Sequence, residues 1–176
     1  MSPDEALLDN PVYAALSGPH ARFAQVLGRV RRYVPQIAPF MGLPHEPTAT
    51  DWRDAAVLVE PGTFAAILQG SADMPDDWEV IRTFDVTQMV AERARGVDCP
   101  DAIPLGPNDV REMLELVAQT EPGPFLPRTI ELGDYLGFRD GGALIAMAGE
   151  RLRLTGWTEI SAVCTLPGYR GRGMAS

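Results

Sequence analysis

The residues with the clearest potential for chemistry form the stretch Arg-Gly-Arg-Gly-Met-Ala at positions 170–175. Glycines let the backbone turn tightly and approach a ligand closely, and consecutive N–H groups in such a turn form a concave anion site. A helix starting just after the turn would add the positive end of its dipole, and the two arginines add charge. The pattern predicts a loop that binds phosphate or pyrophosphate without a metal. The alternative is a flexible, arginine-rich end.

Other sites of small-molecule chemistry do not match the sequence. A Walker loop needs a lysine after its last glycine, and a dinucleotide fingerprint needs a third glycine where this chain has Met174-Ala175-Ser176. The nucleophile elbow G-x-S-x-G of serine hydrolases is absent from the sequence. His20 and His45 lack a cysteine or glutamate at ligand spacing, so no metal site is expected.

The elements that must position the loop lie directly before it. Residues 158–165 alternate as a strand, with Glu159, Ser161, Val163 and Thr165 on one face and Ile160, Ala162 and Cys164 on the other. A hairpin is predicted over 135–139 and 143–148, and an amphipathic helix begins at Val110. Together these elements predict an α/β protein with a mixed, largely antiparallel sheet flanked by helices.

The first half predicts a different order of elements. Ser17-Gly18-Pro19 can start a helix that continues through Val30, and residues 42–51 read as a loop. Strands are expected at 55–60 and 64–68, a third strand at 78–84, and a short helix from Asp85 to Gly96. The proline-rich stretch 98–107 is the expected linker between residues 1–97 and 108–176.

The loop and its preceding strand resemble the GNAT superfamily of acetyl-CoA-dependent N-acetyltransferases. Arg170, Gly173 and Ala175 match its pyrophosphate motif [QR]-x-x-G-x-[GA], and Pro167 and Tyr169 match the usual approach to that loop. The resemblance implies transfer of acetyl from acetyl-CoA to a primary amine. It also implies a two-part chain whose residues 1–97 form a degenerate GNAT-like half. The implied cofactor-binding residues are Val163, Cys164, Thr165, Arg170, Gly171, Arg172, Gly173, Met174 and Ala175.

GNAT domains continue past this loop with a helix, a strand and a tyrosine that can protonate the departing thiolate. The resemblance therefore implies that residues 108–176 are the N-terminal portion of the catalytic domain, that the sequence belongs to a longer protein, and that the general acid lies beyond residue 176. A non-catalytic acyl-CoA-binding or regulatory module is the alternative function. The acceptor amine is not specified by the sequence.

Glu159 is the candidate general base, because it is the acid on the strand that leads into the loop and lies 11 residues before Arg170. This spacing resembles that of the catalytic glutamate in the histone-acetylating branch of the superfamily. The alternative is a structural glutamate paired with Arg151 or Arg153. Cys164 is expected to be a packing residue rather than an acetyl carrier.

Composition limits the partners of the protein. The chain has 176 residues, and its 15 Lys and Arg against 24 Asp and Glu give a net charge of −9, which disfavours nucleic acid and anionic membranes as partners. Neither an apolar run long enough to span a membrane nor an N-terminal secretory pattern is present in the sequence, and two cysteines make no disulfide framework. We expect a cytoplasmic protein with a small-molecule or peptide amine as substrate; homodimerisation is left open.

Overall fold

The computed structural model describes residues 5–69, 74–91, 96 and 99–174. Two four-stranded sheets organise these residues, one in each half of the chain. The α/β class and the largely antiparallel pairing predicted from the sequence are confirmed, but the strands are divided between two sheets. The boundaries of the two halves as domains stay a prediction.

The N-terminal sheet has the strand order β1-β2-β3-β4. Its first three strands are antiparallel, and β4 runs parallel to β3. A short helix, α1, precedes the sheet and a second helix, α2, connects β3 to β4. The elements are α1 (Pro11–Ser17), β1 (Ala24–Leu27), β2 (Val30–Tyr33), β3 (Phe40–Gly42), α2 (Ala49–Leu58) and β4 (Ala66–Ile67).

The predicted helix from Ser17 through Val30 is wrong. Helix α1 ends at Ser17, and the β1–β2 hairpin follows. A few apolar residues at spacings of three and four fit a helix or two short strands equally well, so their pattern does not separate the two. Gly28 favours the hairpin, because a glycine readily adopts the positive φ of 54° that the tight turn between the strands requires.

The strand predicted at 55–60 is also wrong, because these residues belong mostly to α2. That helix begins after Thr48, whose hydroxyl accepts a hydrogen bond from the Asp51 N–H while the Asp51 carboxylate accepts one from the Thr48 N–H. This reciprocal cap satisfies two backbone donors and starts the helix inside the predicted loop 42–51. The strand predicted at 64–68 is confirmed in a shorter form as β4.

Residues 74–91 form no regular helix or strand, so the strand predicted at 78–84 is wrong. Trp78 packs edge-on against Trp52 of α2 with ring centroids 5.4 Å apart, while Val80, Phe84 and Val86 are exposed. The short helix predicted from Asp85 is absent from residues 85–91, and most of its remainder lies outside the described residues. Short helices need a packed face to be stable, and within residues 85–91 the apolar side chains of Val86, Met89 and Val90 are exposed.

The C-terminal sheet has the order β5-β6-β7-β8 and is antiparallel throughout. The predicted helix, hairpin and strand are all confirmed, with β7 six residues longer than expected; strand β5 falls within the stretch predicted as linker. The elements are β5 (Ile103–Pro104), α3 (Val110–Thr120), β6 (Tyr135–Asp140), β7 (Ala143–Leu154) and β8 (Trp157–Thr165).

The long strand β7 joins the two halves of the molecule. Near its start, Leu144 and Met147 pack with Met113 and Leu116 of α3. Near its end, Leu152 and Leu154 belong to the apolar core built on α1 and the N-terminal sheet. A buried hydrogen bond reinforces this junction, because the Thr129 hydroxyl donates to the Ile37 carbonyl over 2.6 Å. The C-terminal sheet is therefore anchored on the N-terminal half.

Candidate functional site

Strand β8 contains a β-bulge at Ala162, where φ is +54°. Ser161 pairs with Gly149 and Cys164 pairs with Met147, so three steps along β8 match two steps along β7. The predicted alternation does not extend across this bulge. Ile160 is 63% exposed, whereas Ala162 and Cys164 are buried. The expectation that Ile160 shares a face with Ala162 and Cys164 is wrong, because the extra residue reverses the alternation. For the same reason, and contrary to the predicted alternation, Glu159 and Ser161 do not share a face with Val163 and Thr165.

The bulge lies in the outermost strand of the C-terminal sheet. β8 pairs with β7 on one side, and in the part of the chain that the structure describes no strand pairs with its other side. An edge strand presents a row of backbone N–H and C=O groups that another extended chain can use. The edge next to the bulge, at Val163–Thr165, leads directly into the glycine-containing loop.

A pocket of about 280 Å³ lies beside the end of β8. Its lining combines the last residues of the strand with the end of α3 and the first arginine of the loop: Thr120, Pro122, Val163, Cys164, Thr165 and Arg170. Helix α3 ends here because Glu121 adopts the left-handed conformation, with φ of 48°. Thr120 and Pro122 were not among the predicted site residues, since only the packing of α3 against the sheet brings them to β8.

A second pocket, of about 200 Å³, follows the loop itself. It shares Thr165 and Arg170 with the first pocket and is otherwise lined by Tyr169, Gly171, Arg172, Gly173 and Met174. The structure therefore brings together, around two adjoining pockets, all of the predicted cofactor-binding residues except Ala175. Ala175 lies outside the described residues.

The loop exposes its backbone. Gly171 and Gly173 have φ of +76° and +79°, a region that residues with a Cβ rarely adopt, and a Cβ placed on either would meet no other atom of the described residues within 4 Å. Before them, Pro167–Tyr169 forms one turn of 3-10 helix, and the Arg170 Nε donates to the Thr165 carbonyl over 3.2 Å. The space in front of both glycines is open to a ligand.

Tyr169 connects the loop to the β6–β7 hairpin. Its hydroxyl donates to the Asp140 carboxylate over 2.7 Å, and this hydrogen bond raises the pKa of the phenol. The guanidinium of Arg172 lies over the Tyr169 ring, 4.8 Å from the centroid. Arg172 and Tyr169 therefore share one side of the loop.

Cys164 lies against α3 and the sheet. The thiol is buried, and burial raises its pKa above the ordinary value, which disfavours the thiolate needed for covalent chemistry. The sequence expectation of a packing cysteine agrees with this environment. Cys99 is exposed and distant in sequence from the loop.

Glu159, the predicted base, forms an ion pair with Arg151 of β7. Arg151 donates from Nε and from Nη2 to the two carboxylate oxygens over 2.9 and 2.6 Å. The guanidinium also lies 5.1 Å from the centroid of the Phe40 ring, in the N-terminal sheet. Arg153, the other predicted partner, pairs with Glu150 instead. The catalytic role of Glu159 stays a prediction.

The histidines form no metal centre in the described residues, where no group of three or more His, Cys, Asp or Glu residues is arranged to hold an ion. His20 is buried, with its Nδ1 2.7 Å from the Tyr33 hydroxyl. Burial lowers its pKa below the ordinary value.

The helices within the described ranges are all too short or too polar to cross a bilayer.

Comparison with known proteins places this geometry in a family. The model of the FR47-like protein family matches residues 135–176, which begin at β6 and include the loop. A GNAT-family protein assigned as an acetyltransferase, from Novosphingobium aromaticivorans DSM 12444, has a similar solved structure, with a TM-score of 0.79 and 33% sequence identity. The match covers 96% of this chain and 75% of that chain. No curated protein matches the chain. The 33% identity over nearly the whole chain, together with the shared fold, shows that the chain belongs to the GNAT family.

Proposed function

We propose that this protein binds acetyl-CoA and transfers the acetyl group to a primary amine. The observation that carries the proposal is the continuity of an open strand edge at Val163–Thr165 with a glycine loop bearing two arginines. An extended, amide-containing chain fits the first feature, and a pyrophosphate fits the second.

The phosphate end of the ligand would bind at the loop. Backbone N–H groups of residues 171–174 would donate to the phosphate oxygens, because the two positive-φ glycines leave the approach free of side chains. Arg170 and Arg172 would add positive charge on a protein whose net charge is −9. No metal is needed for this mode of binding.

The pantetheine arm would bind along the edge of β8. Addition of an extended chain to a sheet edge uses main-chain hydrogen bonds for affinity, and the two amides of pantetheine supply matching groups. Thr120 and Pro122 form the opposite wall of the pocket beside this edge. When bound, acetyl-CoA would supply an acetyl group activated as a thioester.

The acceptor amine must lose a proton before it can attack a thioester, because alkyl amines are mostly protonated at pH 7. We assign this deprotonation to Glu159, acting directly or through a water. Arg151 holds both carboxylate oxygens, so Glu159 has to exchange at least one of these hydrogen bonds for the amine or the water.

The same ion pair favours a second candidate function, that of a non-catalytic acyl-CoA-binding module. An amine or a water can reach the carboxylate oxygens of Glu159 only by displacing a hydrogen bond from Arg151, which a purely structural ion pair would keep. A module of this kind would retain the loop and the strand edge without a productive amine site.

Two measurements test these proposals. Calorimetry with acetyl-CoA should show binding in either case, and the absence of binding would contradict both functions. A thiol-release assay with small metabolite amines, polyamines, aminoglycosides and peptide N-termini separates them. Amine-dependent release of CoA supports the transferase, whereas binding without release for any amine supports the non-catalytic module.

A further inference from the structure

The loop at 170–174 has few connections to the rest of the protein. Arg170 bonds to Thr165, and Arg172 donates to the Gly168 carbonyl over 3.4 Å, so both arginines contact the loop and its own approach. Among the described residues, two hydrogen bonds tie residues 167–174 to strands: the one from Arg170 to Thr165 at the end of β8, and the one from Tyr169 to Asp140 at the end of β6. Two positive-φ glycines give the remaining backbone considerable freedom.

The position of Asp140 is electrostatically unexpected. It ends β6, beside a loop whose arginines and backbone N–H groups suit an anion, and a carboxylate at that place repels phosphate. Its hydrogen bond to Tyr169 offers a physical reason for its presence, because a charged acceptor makes a stronger hydrogen bond to a phenol than a neutral one.

The ring of Tyr169 links the Asp140 hydrogen bond to the guanidinium of Arg172. Arg172 lies over the ring at 4.8 Å from the centroid, so a ring held by Asp140 in turn restricts where the guanidinium can lie. We propose that Asp140 and Tyr169 are positioning residues that hold the loop and Arg172 in the conformation that binds the phosphates of CoA. This inference rests on the proposed acetyl-CoA site.

The direction in which Asp140→Ala changes the affinity for CoA distinguishes a positioning role of Asp140 from an effect of its charge alone. If Asp140 acts only through its charge, Asp140→Ala should tighten CoA binding by removing repulsion. If it positions Tyr169, Asp140→Ala should weaken binding about three- to tenfold, as expected for a partly exposed hydrogen bond to a charged group. Asp140→Asn retains a neutral, weaker acceptor and removes the charge, so it should weaken CoA binding less than Asp140→Ala does.

Tyr169→Phe completes a double-mutant cycle. It retains the ring under Arg172 and loses the hydroxyl while the Asp140 charge remains, so it should weaken CoA binding by at least the factor seen for Asp140→Ala, and the double variant should be no weaker than Tyr169→Phe alone. Tyr13→Phe is the control, because Arg31 lies over the Tyr13 ring, also at 4.8 Å from the centroid, and donates to its hydroxyl, in the N-terminal half of the chain. It should leave CoA binding unchanged.

Calorimetry with CoA is the readout, and thermal unfolding of each variant checks that the fold is retained. Failure of the wild type to bind CoA would overturn the proposed function. Binding by the wild type together with unchanged or tighter binding by Asp140→Ala or Tyr169→Phe would overturn the positioning role alone. Additive losses in the double variant would overturn it as well, since they would mean that the two residues act independently.

Discussion

Arg151 and Glu159 face each other across strands β7 and β8 and are joined by two hydrogen bonds, one to each carboxylate oxygen. The pair lies against Phe40 of the N-terminal sheet, so both halves of the chain contribute to its surroundings. The carboxylate of Glu159 is therefore held in a defined orientation by Arg151. Proton transfer from the amine to Glu159 distinguishes the proposed enzyme from a binding module.

Glu159→Gln tests the role of this carboxylate. As the general base, its loss should reduce turnover near neutral pH by ~10²-fold or more, with partial recovery at high pH where the amine is already neutral. Acetyl-CoA binding should stay intact. The measurement is the pH dependence of amine-dependent thiol release, together with calorimetry.

The matched control is Glu115→Gln, which removes a carboxylate from an exposed ion pair with Arg111 on α3 and should leave turnover unchanged. If Glu159→Gln keeps the wild-type pH profile and rate, the Arg151–Glu159 pair is structural and proton removal occurs elsewhere.

Gly173→Val should abolish tight CoA binding while the protein stays folded. At φ of +79° a β-branched residue is strained, and its side chain would occupy the open space in front of the loop. We expect a loss of affinity of at least about tenfold, which corresponds to ~1.4 kcal/mol. Calorimetry measures the affinity, and circular dichroism checks the fold.

Gly168→Ala is the control for this substitution. Gly168 lies in the same approach, does not have a positive φ, and has no atom within 4 Å of an added Cβ, so alanine should be tolerated. Equal binding by Gly173→Val and the wild type would remove the loop from the site.

Thr129→Val should lower the free energy of unfolding by about 2 kcal/mol or more. The buried Thr129 hydroxyl donates to the Ile37 carbonyl and accepts from the Leu126 N–H, so valine leaves two backbone groups without a partner. Urea denaturation measures the change. The control is Thr63→Val, which removes an exposed hydroxyl bonded to the Glu60 carbonyl and should lower the free energy of unfolding by less than about 0.5 kcal/mol. Similar decreases in the two variants would show that the Thr129 hydrogen bonds contribute little to stability.

Asp51 should make stability depend on pH in the acid range. Hydrogen bonds from Arg29, followed by those from Thr48, hold the pKa of this buried carboxyl well below its ordinary value. Because the folded-state pKa is lowered, the contribution of Asp51 is complete above the unfolded pKa of ~3.9 and is lost as the pH falls further.

Asp51→Asn should therefore lower the free energy of unfolding by about 1–3 kcal/mol at pH 7, and the gap from the wild type should narrow below about pH 4. Urea denaturation between pH 7 and 3 measures both quantities. Asp101→Asn, at an exposed position, should change the stability little at any of these pH values. A gap that stays constant down to pH 3 would contradict the assignment.

Local chemistry made the C-terminal half predictable. The apolar periodicity of α3, the Asp140-Gly141-Gly142 turn and the alternation at the end of β8 each require only neighbouring residues, and all three elements were predicted. The loop could be located for the same reason, since arginines and glycines in one short stretch carry the properties of an anion site wherever the chain places them.

Tertiary packing decided the rest. The β1–β2 hairpin and α2 were mispredicted, because a short apolar run fits a helix or a strand equally well. The turn at Gly28 and the cap formed by Thr48 and Asp51 distinguish the two in the folded protein. The bulge at Ala162 depends on the register between β7 and β8, which alternation along one strand cannot reveal. Thr120 and Pro122 reach the pocket because α3 packs on the sheet. Sequence determined which residues could bind phosphate, and long-range contacts determined which others join them.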